Sequence, residues 1–169
     1  MADMMHEGIV EPVEVQGIKN TFYMPPEESS MLEPDPDLCD EVLLLALLDN
    51  LIGIRKLISE VFGFDYAWEI YKIPAKMIFG CYVMPILHGD RFIGRLDPKL
   101  DRVNKKMTIN ALYLEGGKID GETPLDELAS AHGRFGTYHG ASRIDVGMTA
   151  PLSLKSMLGG ALAAQSLKC

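Results

Sequence analysis

Residues 64–116 constrain this chain most, because they read as three or four successive β-strands and hold half of its lysines and arginines. The run CYVMPIL at residues 81–87 is almost wholly apolar, as a strand buried on both faces would be. That pattern makes Cys81 a small core residue. His88-Gly89-Asp90 follows, and a Gly-Asp pair can close a two-residue hairpin because glycine takes a positive φ without a Cβ clash. The return strand alternates, with Phe92, Gly94 and Leu96 on one face and Arg91, Ile93, Arg95 and Asp97 on the other. A second turn at residues 103–106 leads into another β-prone run at 107–115. A meander must hide its edges and its apolar face, so a β-barrel-like antiparallel arrangement or a covered sheet is expected.

The flanking segments supply helices and a small hairpin. Residues 1–8 read as the end of a helix, and residues 10–16 and 21–24 as two strands linked by Gly17-Ile18-Lys19-Asn20, the shape of a winged-helix wing. Residues 25–40 mix prolines with carboxylates, as a linker does, and 42–48 (VLLLALL) are too apolar to be exposed. Leu51, Ile54, Leu57, Ile58 and Val61 fall at helical spacing, with Gly63 placed to close that helix in the left-handed region. Residues 116–122 read as a loop. Thr123 and Pro124 suit N-cap and first-turn positions of a helix running to about Tyr138, weakened at Gly133 and Gly136. A short strand at 142–146 and a helix-prone segment at 151–167 complete an α+β chain. Its expected units are residues 1–34, a winged-helix remnant with its linker, and residues 35–169, a β-rich domain with flanking helices.

Composition excludes several classes. A hydrophobic fraction of 47% is that of a folded globular protein. No apolar run approaches the ~20 residues of a membrane helix, and the N-terminus lacks the basic flank and apolar stretch of a signal peptide, so a cytoplasmic protein without membrane contact is expected. Cys39, Cys81 and Cys169 show no spacing that suggests zinc or a disulfide framework. His132 and His139 lie two helical turns apart with no third ligand in view, and no phosphate-loop, GxSxG or HExxH pattern is present. Neither a metal nor a cofactor is expected. Asp49, Asp65, Glu69 and Asp97 have no spacing that forces an acid/base pair. Tyr66, Trp68 and Tyr71 read as packing residues.

Three pieces occur in one order: VEPVEVQGIKNTFYMPPEE (residues 10–28), LLDNLIGIRKLISEVFGFDYAWEIYKIPAK (47–76) and YVMPILHGDRFIGRLDPKLDR (82–102). With these the chain resembles the C-terminal portion of the YcaQ-like winged-helix DNA glycosylases, which excise alkylated bases and unhook interstrand crosslinks. The likeness runs from about residue 7 to about residue 115, with a weaker continuation to 146. The family's catalytic pair is two glutamines separated by one apolar residue. Here glutamine occurs only at Gln16 and Gln165, so the resemblance implies a portion without catalytic residues, beginning inside the tail of a winged-helix module. Gly53 and Ile54 stand where the family usually has Trp-Asp.

Charge is unevenly spread. Residues 1–50 hold twelve carboxylates against one lysine, whereas residues 51–110 hold ten cations against six carboxylates. Nucleic-acid affinity follows local positive potential and counterion release, so a basic middle can operate within a chain of net charge −8. The candidate nucleic-acid contacts are Arg91, Arg95, Lys99, Arg102, Lys105 and Lys106, with His88 beside the first turn. Two readings stand. Either these cations meet phosphates of duplex DNA, as the resemblance implies, or they pair with Asp90, Asp97 and Asp101 as solvated surface ions. The partners expected are duplex DNA, a missing N-terminal winged-helix half, or a second copy in a homodimer. The alternative function is a structural or self-associating module with no nucleic-acid role.

Overall fold

The computed structural model describes residues 2–33, 41–117 and 123–166, without the side chains of 164–166. Helix α1 (Ala2–His6) leads into a two-stranded antiparallel hairpin, β1 (Glu11–Glu14) and β2 (Thr21–Met24). A 3-10 segment (Pro26–Leu32) occupies the first part of the proline-rich stretch; the rest of that expected linker, 34–40, lies outside the described residues. The other elements are β3 (Val42–Leu44), α2 (Asn50–Gly53), α3 (Arg55–Phe62), β4 (Met84–His88), β5 (Arg91–Asp101), β6 (Lys106–Leu114), α4 (Leu125–Tyr138), β7 (Arg143–Ala150) and α5 (Ser153–Ser166). Strands β3 to β7 form one sheet in sequence order.

This sheet is not a closed barrel. β3, β4, β5 and β6 pair antiparallel, but β7 runs parallel to β6. The helix α4 between them makes the crossover that parallel pairing requires. The edges at β3 and β7 therefore stay unjoined, and helices rather than closure cover the apolar face. Leu128, Ala129 and Ala131 of α4 and Leu154 and Leu158 of α5 pack on Val42, Ile86, Leu96, Met107, Ile109, Leu112 and Leu114. Burying an aliphatic side chain of this size contributes about 1.5–3 kcal/mol. The opposite face carries a second cluster, in which Ile52 and Ile58 of α2 and α3 join Phe64, Tyr66 and Phe92.

Two bulges decide which residues reach each face. Ile86 pairs with Gly94 and Leu87 with Phe92, so Ile93 has no partner on β4. A one-residue bulge shifts the alternation. Phe92 and Arg95 consequently lie against the aromatic cluster, while Ile93 and Leu96 join the helix-covered core. The uniform alternation expected for β5 is thus overturned, and Arg91 and Arg95 do not share a face. Likewise Asp97 pairs with Ala111 and Pro98 with Ile109, leaving Asn110 as the extra residue on β6. That bulge accommodates Pro98, which has no N–H to give to a regular ladder.

Other expectations shift locally. Gly89 takes φ 56° in a two-residue turn between His88 and Arg91, and Gly63 caps α3 at φ 61°. The single helix expected over 50–62 is broken at Ile54 (φ −100°, ψ 80°), and the side chain of Asp49 caps its first turn by accepting from Leu51 N–H. β4 starts at Met84, and Cys81 is exposed rather than part of the core. The Tyr82 N–H donates to Asp97 (3.2 Å) and the Gly80 N–H to Glu69 (3.2 Å), so this backbone is spent on carboxylates distant in sequence. Pro124 rather than Thr123 is the N-cap of α4. Gly133 and Gly136 do not interrupt that helix. At Gly136 a Cβ would stand 2.8 Å from the Ile144 Cδ1, so glycine lets α4 approach β7 closely.

The backbone contacts of β7 give a stability test. A Cβ on Gly147 would come within 2.6 Å of the Asn110 carbonyl and 2.8 Å of the Ile109 carbonyl, both backbone atoms that cannot swing aside. We expect Gly147→Ala to lower unfolding free energy by about 1–3 kcal/mol. Gly159→Ala, in α5 with open space around it, should instead raise it by roughly 0.5–1 kcal/mol. Urea titration of both variants measures the contrast, and equal effects would contradict this packing.

Candidate nucleic-acid interface

The expected cationic residues divide into three settings. Arg95 is interior, with 6% of its side chain exposed. Its Nε and Nη2 donate to Glu115 Oε1 at 3.0 and 2.8 Å, and its Nη1 donates to the Asp65 carbonyl at 3.1 Å. The guanidinium lies between two rings, 4.4 Å from the centroid of Phe64 and 4.2 Å from that of Phe79. A desolvated cation over aromatic faces is worth about 2 kcal/mol per contact. Phe64 stacks in turn on Phe92 at 4.4 Å. Arg95 therefore ties residues 64–79 to the sheet, and no exposed face presents it.

Arg91 is exposed at the Gly89-Asp90 turn. An eleven-residue strand at about 3.3 Å per residue puts it roughly 30–35 Å from the other end of β5. At that end the loop 102–105 connects β5 to β6. The Asp101 carboxylate organises it, accepting from the N–H groups of Val103 and Asn104 and from the Asn104 amide, and the Asn104 side-chain bond first among these holds the carboxyl below its usual range. Lys105 takes φ 48°, and its carbonyl accepts from Ser142 N–H at 2.7 Å. The loop is thus fixed at both ends while Arg102 and Lys105 point into solvent.

Lys99, Arg102 and Lys105 are exposed and have no acidic partner among the described residues. Lys106 differs. It is half-buried in β6, and its Nζ lies 2.6 Å from Asp145 on β7. That contact, with Arg143 adding its charge, keeps the Asp145 carboxyl below its usual range. Arg143 sits opposite Lys106 in the parallel register and is exposed. Sequence reading passed over it, because only the β6–α4–β7 crossover brings residue 143 beside residue 106. The structure therefore gathers Lys99, Arg102, Lys105 and Lys106 with Arg143, and separates them from Arg91 and Arg95. The acids expected to neutralise the cluster do other work. Asp101 holds the loop, and Asp97 accepts from Tyr82 N–H and, at 3.3 Å, from Asn110.

The remaining candidates have local roles. Glu69 is buried and accepts from the N–H groups of Ile78, Phe79 and Gly80 at 2.8, 2.7 and 3.2 Å, with Lys72 at 2.8 Å. Desolvation works to raise its carboxyl, but these bonds more than reverse it and hold it at about 2. Tyr66 is buried and donates to the Val83 carbonyl, Trp68 packs half-buried beside it, and Tyr71 is exposed. His132 is enclosed in the core with Nδ1 2.6 Å from the Leu128 carbonyl, whereas His139 is exposed against the Phe135 ring. The two do not converge. No group of three metal-ligating side chains occurs among the described residues. No helix there is long and apolar enough to cross a membrane.

The geometry defines a mixed α+β domain whose one open sheet end is cationic. A family model for AlkZ-like DNA glycosylases matches residues 1–138, and the chain belongs to that family. No solved structure matches it.

The Glu69 cluster gives a pH test with a fixed sign. Its carboxyl is lowered from 4.5 to about 2 in the folded chain, so its contribution is complete above about pH 4.5 and fades as the pH falls toward 2. We expect the stability gap between the wild type and Glu69→Gln to be constant from pH 7 to 5 and to shrink below that. Denaturant titrations at stepped pH measure it. A gap that widens in acid would contradict the assignment.

Proposed function

We propose that this chain serves DNA repair as a non-catalytic, cytoplasmic DNA-contacting scaffold, with residues 35–169 meeting the duplex and residues 1–34 as a winged-helix remnant. The observation that carries this reading is the cluster at the 102–105 loop. Among the described residues five cations, Lys99, Arg102, Lys105, Lys106 and Arg143, face two carboxylates there, Asp101 and Asp145, and Asp101 is occupied by the loop's own backbone. Membership of a DNA glycosylase family supports DNA as the anion. The absence of a closely spaced glutamine pair, with glutamine only at positions 16 and 165, supports a role without base excision. A second reading, self-association or docking to a partner half, is favoured by the N-terminal segment. No residue described before Glu33 is buried, and Met4, Met5, Ile9 and Tyr23 are exposed. Light scattering that finds a monomer at every dilution would remove self-association.

Phosphate contact at three or four of these cations predicts weak, sequence-independent binding with a slope of log affinity against log salt of roughly −3 to −4, at about 0.9 per contact. Arg102→Ala with Lys105→Ala should flatten that slope by about 1.8 and leave thermal stability unchanged, because both are exposed. Fluorescence anisotropy over a salt series measures this. An unchanged slope, or no binding at low salt, would sink the phosphate assignment.

Incubation with duplex carrying N7-alkylated guanine should yield no abasic sites above background. Enzyme-dependent base release would show that the non-catalytic reading is wrong.

A further inference from the structure

Beside the cationic loop the helix-covered side of the sheet is not fully closed. An open cleft of about 620 Å³ lies between the end of the β5–β6 hairpin and the last turn of α4. That is within the ~300–1,000 Å³ typical of small-ligand sites. Pro98, Leu100 and Phe135 contribute apolar lining, and Tyr82, His139 and Arg102, all exposed, stand at its rim. Three of these six are flat rings, with Phe135 and His139 in edge contact at 4.5 Å. Arg102 belongs to both the cleft and the loop cluster.

We propose that this cleft receives an unpaired nucleobase from a DNA strand whose phosphates lie on Arg102 and Lys105. The inference rests on the phosphate-contact reading above and names what that strand presents beside the loop. A base has two apolar aromatic faces and a polar edge, so it suits an apolar, ring-lined cavity with a histidine, a tyrosine and an arginine at its mouth. A paired base is stacked inside its helix and cannot enter. The occupant is therefore an extrahelical or single-stranded base. The rim's positive charge favours a strand of phosphates over an uncharged or basic peptide.

The test uses the full chain and three duplex probes: one fully paired, one with a single bulged 2-aminopurine, and one with an abasic analogue in the bulge. We expect the bulged base to bind roughly 5- to 100-fold more tightly than its abasic counterpart, with its fluorescence quenched on stacking. Tyr82→Ala and His139→Ala, checked for folding by circular dichroism, should abolish that preference and leave the salt slope intact. Lys105→Ala should weaken all three probes equally. If the bulged and abasic probes bind alike while the salt slope persists, the cleft inference is wrong and phosphate contact stands. If no probe binds at low salt, both fall. If Tyr82→Ala instead abolishes concentration-dependent self-association with no base preference seen, the cleft is an interface between copies and the proposal is overturned.

Discussion

The β5–β6 hairpin depends on two single-residue bulges, at Ile93 and Asn110. Each moves the following residues to the opposite face. Without the first, Arg95 would lie on the helix-covered side with Ile86 and Leu128, and Leu96 would leave that core. With it, the guanidinium meets Glu115 and two aromatic rings. Without the second, Leu112 and Leu114 would leave the core that Met107 and Ile109 enter. Gly94 and Gly147 answer the same constraint. Each sits where a neighbouring strand's carbonyl comes closer than a Cβ would permit.

The aromatic and carboxylate contacts then shape what is left exposed. Arg95 holds the segment 64–83 against the sheet through Phe64 and Phe79. Glu69 folds its middle by gathering three backbone N–H groups, and Tyr66 and Asp97 fasten its end through Val83 and Tyr82. A buried carboxylate is tolerated there because its lone pairs are filled by hydrogen bonds and a lysine. This covering reaches the Arg91 half of β5. The far half, beyond Asp97, has no such layer among the described residues, and there Lys99, Arg102, Lys105 and Arg143 are exposed.

Legibility followed the range of the interactions involved. Gly63 and Gly89 were readable because a positive φ within one turn leaves a local mark. Helix α3 was readable from its spacing and its end from its cap, and α4 from the Thr123-Pro124 start signal, although Pro124 is the cap. The parity of β5 was not, since nothing in RFIGRLDPK marks which residue is unpaired. Bulge position depends on the partner strand and on what each face must bury. Cys81 was misplaced for the same reason: the apolar run continues through Tyr82, but Asp97 and Glu69, distant in sequence, claim the backbone around it. A barrel-like arrangement or a covered sheet was expected because a meander must hide its edges and its apolar face. A helix crossover to a parallel β7 left those edges unjoined while α4 and α5 covered the apolar face. Of the six candidate cations, the structure groups Lys99, Arg102, Lys105 and Lys106. Arg143 could not be read from spacing, because its nearness to Lys106 exists only in the parallel register.

The net charge of −8 then ceases to weigh against an anionic partner. At physiological salt the screening length is about 8 Å, so a carboxylate farther off than that hardly alters the potential at an exposed loop. What counts is the balance within that distance, where the Lys106–Asp145 and Arg143–Asp145 contacts leave Lys99, Arg102 and Lys105 without acidic partners among the described residues. Under the reading proposed above, such a local excess orients a nucleic acid more than it tightens its binding.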